Sequence, residues 1–294
     1  MIHYSCCPVC QSSQIQPRLT SKDHTVSQQS FVIWYCSDCT LCFTQDIPGQ
    51  DTIGVFYASS DYISHSDTKE GIINRLYHLV RRRTLASKKR LVVSATGTNS
   101  GNVLDIGCGT GAFLHAMKAA GWTITGLEPD PSARAKAMEL YAVTPQEPGR
   151  LFELPAASYA AITMWHVLEH VHELHAYMKR IGELLAPGGK LFIAVPNYTS
   201  ADANAYKEYW AAWDVPRHLY HFSPGSMERL LSLHELKLES VRPMWFDSFY
   251  VSMLSEKYRG GNIIRAFFNG LLSNLKAIGN HRKCSSVIYI ISKK

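Results

Sequence analysis

The stretch Val103–Leu114, VLDIGCGTGAFL, decides the fold. Val103, Leu104 and Ile106 make a short apolar run of the kind that becomes a strand buried on both faces, interrupted near its end by Asp105. Gly107, Gly109 and Gly111 follow at alternate positions, and a helical pattern then runs from Ala112 to Ala120 and is closed by Gly121. Such a strand, turn and helix N-terminus let a ligand approach bare backbone, because glycine carries no side chain and the first helical N–H groups are unpaired.

Two ligand classes use a turn of this kind. A dinucleotide site asks for G-x-G-x-x-G or Ala, which Gly107, Gly109 and Ala112 meet loosely. A site for S-adenosylmethionine (SAM) asks for an acidic residue two before the first glycine and for alternating glycines. Asp105, Gly107, Gly109 and Gly111 meet that pattern in full. Glu128, in GLEPD, suits both, since each ligand offers ribose hydroxyls to a carboxylate closing the second strand.

Working outward, three further segments narrow the choice: GLEPD (Gly126–Asp130), MWHVLEHV (Met164–Val171) and LLAPGGKLFIAVPN (Leu184–Asn197). Together with the glycine turn, and in this order, they resemble class I SAM-dependent methyltransferases, particularly the ubiquinone-biosynthesis O-methyltransferase branch, over about residues 102–197. The resemblance implies an α/β fold with a doubly wound, Rossmann-like, mostly parallel sheet. It also implies that Asp105, Gly107, Cys108, Gly109, Gly111, Glu128, Pro129, Trp165 and His166 surround SAM. Many relatives carry Asp where this chain has Ala160 in the strand Tyr159–Met164; that position supports the strand, so activity is expected to survive its absence. His166, Glu169 and His170 also spell H-x-x-E-H, the inverted zinc-protease motif. That site needs both histidines on one helix face, whereas this motif straddles a strand end and a helix start.

The 294 residues, 46% of them hydrophobic, allow one large domain or a main domain with a small one. Aromatics at 11% and charges at 18% exclude a disordered chain. No apolar run approaches a membrane span and the opening MIHYSCCPVC is no secretory signal, so a cytoplasmic protein is expected.

Six of the eight cysteines precede residue 43. In a cytosolic chain such a cluster reads as metal ligands before disulfides. Cys7-Pro-Val-Cys10 and Cys36-Ser-Asp-Cys39 are two C-x-x-C pairs separated by a run containing FVIWY, a plausible ribbon strand. Four thiolates complete a tetrahedral structural zinc site. Cys6 is an alternative to Cys7, although the spacing favours Cys7. Cys42 extends the second pair toward an iron–sulfur pattern whose further ligand is missing, which leaves zinc the preferred metal.

Asp46 to Asp67 is polar and turn-rich, with Tyr57 and Tyr62, and reads as a surface connection. Lys69 to Val93 has apolar residues at helical spacing (Ile72, Leu76, Leu79, Val80) and a basic opposite face, Arg81 to Arg83 and Lys88 to Arg90, read chiefly as solvated. Beyond the glycine turn the second strand is Thr123–Leu127, Ser132 caps a helix to about Tyr141, and a weak third strand is placed near Ala142–Thr144. Lys190–Val195 is the fifth strand, Ser223 and Pro224 open a helix, and Leu236–Val241 and Val287–Ile291 supply the last two strands.

The fifth strand is followed by an insertion at about residues 198–222, ending in WDVPRHLYHF. Ligands of this fold sit beyond the C-terminal strand ends, so the segment is expected to wall the acceptor. His218 is the first choice for the base, with His166 and His170 behind it; Arg217 would hold an anionic acceptor group, and Trp213 and Tyr220 would exclude water. From Ser248 to Lys294 there are eight Lys or Arg residues and one acid, Glu256, a balance of 8 − 1 = +7. Ala266–Leu275 within it is apolar at helical spacing and is read as a packed extra helix, with a membrane surface, an active-site cover or a dimer face as its other uses.

The expected organisation is a zinc ribbon at residues 1–45, a linker and helix at 46–95, and a methyltransferase domain at 96–294 with the insertion and a basic C-terminal segment. The expected reaction moves the SAM methyl group to an oxygen, carbon or nitrogen of a small-molecule, glycan or lipid-precursor acceptor. Two rival classes stand beside it. An RNA methyltransferase would use the ribbon and basic tail to hold RNA, and a non-catalytic module would bind SAM without turnover. The acceptor and the oligomeric state are not legible.

Overall fold

A computed structural model of the chain describes residues 1–58 and 72–294; the expectations for Tyr62 and Lys69 lie outside them. The glycine-turn strand is β4 (Asn102–Ile106), and the turn leads into helix α2 (Ala112–Lys118). Strands β5 (Thr123–Leu127), β6 (Tyr159–Trp165) and β7 (Leu185–Pro196) join it in parallel, β4 lying between β5 and β6. Strands β9 (Leu236–Pro243) and β10 (Ser286–Lys293) complete the order β5-β4-β6-β7-β10-β9, with β10 antiparallel to both neighbours. The sheet is thus doubly wound from β4, and the crevice at its carboxyl end opens where the strand order reverses.

Burial on both faces explains why these strands read as continuous apolar runs. Leu104 and Ile106 enter one core cluster while Val103 enters another on the opposite face. Helix α1 (Ile72–Thr96), α2 and α3 (Pro131–Tyr141) cover one face through Val92, Phe113, Met117 and Ala137. Helix α4 (Leu174–Leu184) covers the other with Leu174, Met178 and Ile181, at i, i+4, i+7, alongside Met227, Leu230 and Leu231 of α6 (Pro224–Leu233).

Several local expectations change. The third strand is reduced to a single parallel bridge between Leu127 and Gln146, since Ala142 takes a left-handed turn that ends α3. The cap of α3 is Asp130, which accepts from the Ser132 backbone N–H, not Ser132 itself. The connection after the ribbon is anchored, with Ile47 and Ile53 buried in the core. Ser223 caps α6 as expected, in a reciprocal box with Ser226.

The cysteine-rich segment forms antiparallel strands β1 (Ile15–Lys22), β2 (Ser30–Cys36) and β3 (Cys42–Thr44). A fourth strand, β8 (Tyr220–His221), comes from the insertion and pairs with β3, Phe43 opposite Tyr220 and Cys42 opposite His221. The insertion begins with α5 (Ala201–Tyr206), and its Trp210 and Trp213 are buried against Phe31 and Ile33 of the ribbon. Ribbon and insertion therefore share both a sheet and a hydrophobic cluster. Between β9 and β10 the chain makes a helical hairpin, α7 (Asp247–Tyr258) and α8 (Ile263–Ala277).

Candidate active site and metal centre

All three glycines of the turn have positive φ: 69° at Gly107, 54° at Gly109 and 76° at Gly111. A Cβ on Gly107 would lie 2.4 Å from Val167 Cγ2, and one on Gly111 would lie 3.1 Å from Ala137 Cβ, so these two also permit close packing. At Gly109 nothing lies within 4 Å, which leaves the backbone open to a ligand. The Gly107 N–H donates to Leu127 O at 2.7 Å, locking the turn to the end of β5.

Glu128 sits just beyond that end and is 8% exposed. Its two oxygens accept from the Gly109 N–H at 2.8 Å and the Asp130 N–H at 3.0 Å, which fixes the carboxylate at the mouth of the turn. Each oxygen keeps a lone pair for a ribose hydroxyl. Burial raises its pKa, against those two backbone donors. Asp105 is buried and accepts from Thr163 Oγ1 at 2.6 Å across the β4–β6 pair. Desolvation pushes it up to about 7, opposed by Thr163 and by the charge of Lys88. Cys108 is buried beneath the turn and Pro129 is exposed at its rim.

Lys88 belongs to the helix face that was expected to be solvated. It reaches over the Trp165 ring, Nζ 4.4 Å from the centroid, and burial lowers its pKa against attraction from Asp105 and Asp247. The sequence held a signal for this: Leu85 and Val92 of the packed face lie three before and four after it.

The turn after β6 gathers the expected histidines. His166 has φ 59° and holds Asp247 Oδ2 at 3.1 Å through Nε2 and Glu169 Oε1 at 3.5 Å through Nδ1. Burial opposes its charge, but Asp247 and then Glu169 raise its pKa to about 9, so it is an imidazolium at neutral pH. Glu169 is fully buried, and neither oxygen has a closer donor among the described residues. Against it lie His170 and His218, their rings 4.6 Å apart and nearly perpendicular. Burial drops His170 to about 4. Its Nδ1 lies 2.9 Å from Tyr57 Oη and 3.0 Å from Arg217 O.

His218 is 9% exposed, with Nδ1 2.8 Å from Ala212 O, a contact only an N–H donor can make. That tautomer leaves Nε2 as a proton acceptor, 3.9 Å from Asp214 Oδ2. Backbone bonds lace the insertion to the turn and the ribbon: the Leu219 N–H donates to Glu169 O at 2.8 Å and the Thr44 N–H to Leu219 O at 2.9 Å. Glu169, His170 and His218 each offer a ligand atom within 4.8 Å of the others, a donor set that suits a proton relay or a divalent cation.

Two expectations for the insertion are corrected. Arg217 does not face an acceptor; it is 1% exposed and donates to Asp23, Asp214, Thr25 and Phe56 O, so its charge is spent clamping ribbon to insertion. Tyr220 is buried in the ribbon sheet, its hydroxyl 3.4 Å from Tyr4 Oη and donating to His172 O. Trp213 likewise packs against Tyr198 and His221. Sequence reasoning missed Lys88, Thr163, Glu169 and Asp247 as members of the site.

At the metal centre Cys7 and Cys39 lie 3.5 Å apart by their sulfurs, Cys10 and Cys36 3.6 Å, and all four sulfurs fall within 4.8 Å of one another. A tetrahedral zinc with Zn–S of about 2.3 Å spaces its sulfurs about 3.8 Å apart, so the four fit that ion. Cys6 donates to Gln11 instead, and Cys42 lies 3.5 Å from Arg18 Nη1; burial raises the Cys42 thiol to about 12. Neither is part of the four-sulfur cluster.

A doubly wound sheet whose first strand ends in three left-handed glycines, with a carboxylate closing the second, defines the class I SAM-binding methyltransferase fold. The chain belongs to the methyltransferase-domain family, whose pattern matches residues 78–241. Among its relatives is the ubiquinone biosynthesis O-methyltransferase of Xanthomonas oryzae pv. oryzae (strain PXO99A), 31% identical over an alignment of 159 residues that covers 49% of this chain and 66% of that one. The corresponding enzyme of Xanthomonas axonopodis pv. citri (strain 306) is 32% identical over 161 residues. The chain thus spans 66% of the length of these curated relatives. In fold it is similar to magnesium protoporphyrin IX methyltransferase from Synechocystis PCC 6803 with bound SAH, with a TM-score of 0.54 at 14% identity over 83% of this chain and 100% of that one.

Proposed function

We propose that this chain is a SAM-dependent methyltransferase acting on a small-molecule acceptor, with a structural zinc in its ribbon. The observation that carries the reading is the seat formed by the bare Gly109 backbone and the pinned Glu128 carboxylate at the switch point of a methyltransferase-family sheet. When bound, SAM supplies an electrophilic methyl group and carries its own leaving group. Glu128 would hold the ribose hydroxyls, Gly107–Gly111 would let the nucleoside approach, and Trp165 and His166 would wall the site from the end of β6.

The protein's remaining work is alignment and removal of the acceptor's proton. His218 Nε2 takes that proton. The imidazolium so formed faces Asp214 Oδ2, 3.9 Å from Nε2, and lies against the Glu169 carboxylate. Asp214 is held in place by Arg217, and His170 stays neutral beside it. His166, protonated between Asp247 and Glu169, positions the turn and takes no proton. The ribbon acts through β8, which fixes the segment carrying His218, and Cys7, Cys10, Cys36 and Cys39 would hold a zinc that braces the ribbon.

Titration calorimetry tests the seat. SAM should bind, NAD should not, and binding of NAD instead would remove the reading. An RNA acceptor has one feature in its favour, the basic C-terminal segment, and salt-sensitive RNA binding would reveal it.

A further inference from the structure

The hairpin α7–α8 is built with its large apolar side chains on the outside. Its buried face carries Ser248, Ser252 and Ser255 on α7 and Ala266, Gly270, Ser273 and Ala277 on α8. These small residues let the helices and the body of the protein approach closely. A Cβ on Gly270 would lie 2.9 Å from the Phe249 ring, Ser255 Oγ accepts from the Ala211 N–H at 2.9 Å, and the Ser273 hydroxyl donates to Asp202 at 2.5 Å. The outer face of α8 carries Ile264, Phe267, Phe268, Leu272 and Leu275, exposed by 66%, 54%, 56%, 52% and 53%, and Ile278 at its C-terminal cap is exposed by 63%. A helix docked on a water-soluble body normally has the reverse arrangement, and an apolar surface this continuous marks a place where something else is met.

Charge decides what that is. Lys257, Arg259, Arg265 and Lys276 belong to the hairpin, and Arg282 and Lys283 follow it. The hairpin's one acid past Asp247, Glu256, is buried against Arg259 and Arg265, and Arg282 pairs with Glu228, so Lys276 and Lys283 are exposed bases beside the apolar stripe in sequence. Two copies of such a face would bring cations together, whereas an anionic lipid surface offers both hydrocarbon for the apolar residues and phosphates for the bases. No helix among the described residues is long and apolar enough to cross a membrane, so α8 would lie on it. We infer that the α7–α8 hairpin is a docking surface for an anionic lipid bilayer. It is rooted at the site described above, since Asp247 opens α7 and holds His166. The inference does not depend on methyl transfer, and its test reads lipid binding alone.

The full chain is floated with vesicles of about three parts phosphatidylcholine to one part phosphatidylglycerol, and with phosphatidylcholine alone. Binding should appear with the anionic vesicles, weaken as salt rises, and be slight with the neutral ones. Ile264→Ser with Leu272→Ser should cut the bound fraction by roughly tenfold or more, as should Lys276→Glu with Lys283→Glu. All four side chains are exposed, so both variants should keep the wild-type thermal midpoint. Absence of wild-type binding to anionic vesicles, or equal binding by the Ser variant, overturns the proposal. So does a chain that ignores vesicles but sediments as a dimer which the Ser variant dissociates, because a second copy would then cover the face.

Discussion

At the scale of single residues, Glu128 bears on cofactor binding and His166 on the response to pH. Glu128→Ala should weaken SAM by about 1.5–3 kcal/mol, the range for a hydrogen bond to a charged group, and calorimetry showing unchanged affinity would take Glu128 out of the seat. The turn glycines differ in what they tolerate. Gly109→Ala meets no neighbour and bears only the left-handed backbone, about 1–2 kcal/mol, whereas Gly107→Ala adds a clash with Val167 and should cost more in urea unfolding. His166 has a pH signature. Its folded pKa is raised to about 9 from an ordinary 6.5, so between those values the native state binds more proton than the unfolded state. Its stabilisation is therefore full below about 6.5 and lost as pH rises through about 9. Asp247→Asn should flatten the fall in thermal midpoint across that window; a fall as steep as wild type would show that the pair does not couple to folding.

At the level of elements, the ribbon and the insertion are one construction. Because β8 completes the ribbon sheet and Arg217 clamps Asp23 to Asp214, damage to the metal site should travel to His218. Purified protein should carry about one zinc per chain. Cys36→Ser should lose it, loosen residues 210–222 with the first fifty, and reduce turnover while SAM binding at β4 persists; hydrogen exchange, metal analysis and calorimetry read the three effects. Iron–sulfur absorption from anaerobically purified protein would contradict the assignment. The two C-x-x-C pairs were legible because ligand spacing is local. The pairing of Phe43 with Tyr220 was not, since strands of two or three residues carry no periodicity and their partner lies far along the chain. For the same reason Arg217 looked like a ligand-binding charge: its partners Asp23, Thr25 and Phe56 are distant in sequence.

For the whole molecule, the sheet could be read from sequence because strands buried on both faces are unmistakably apolar and the glycine turn fixes where β4 ends. The site was half legible. His166, His170 and His218 were named from chemistry, and the fold does bring them round one carboxylate, Glu169. Lys88 and Asp247 enter from elements outside the motif region, α1 and the hairpin, so only the three-dimensional packing joins them. The central claim is that this assembly transfers a methyl group, with His218 taking the acceptor's proton. Labelled SAM incubated with cell extract divided into RNA, glycan, lipid and small-molecule fractions tests it most directly. Wild type should label a small-molecule or lipid fraction, and His218→Ala should label it about 10²- to 10⁴-fold more slowly with SAM affinity unchanged. No labelled fraction from a chain that binds SAM, or a His218→Ala variant as fast as wild type, would contradict it.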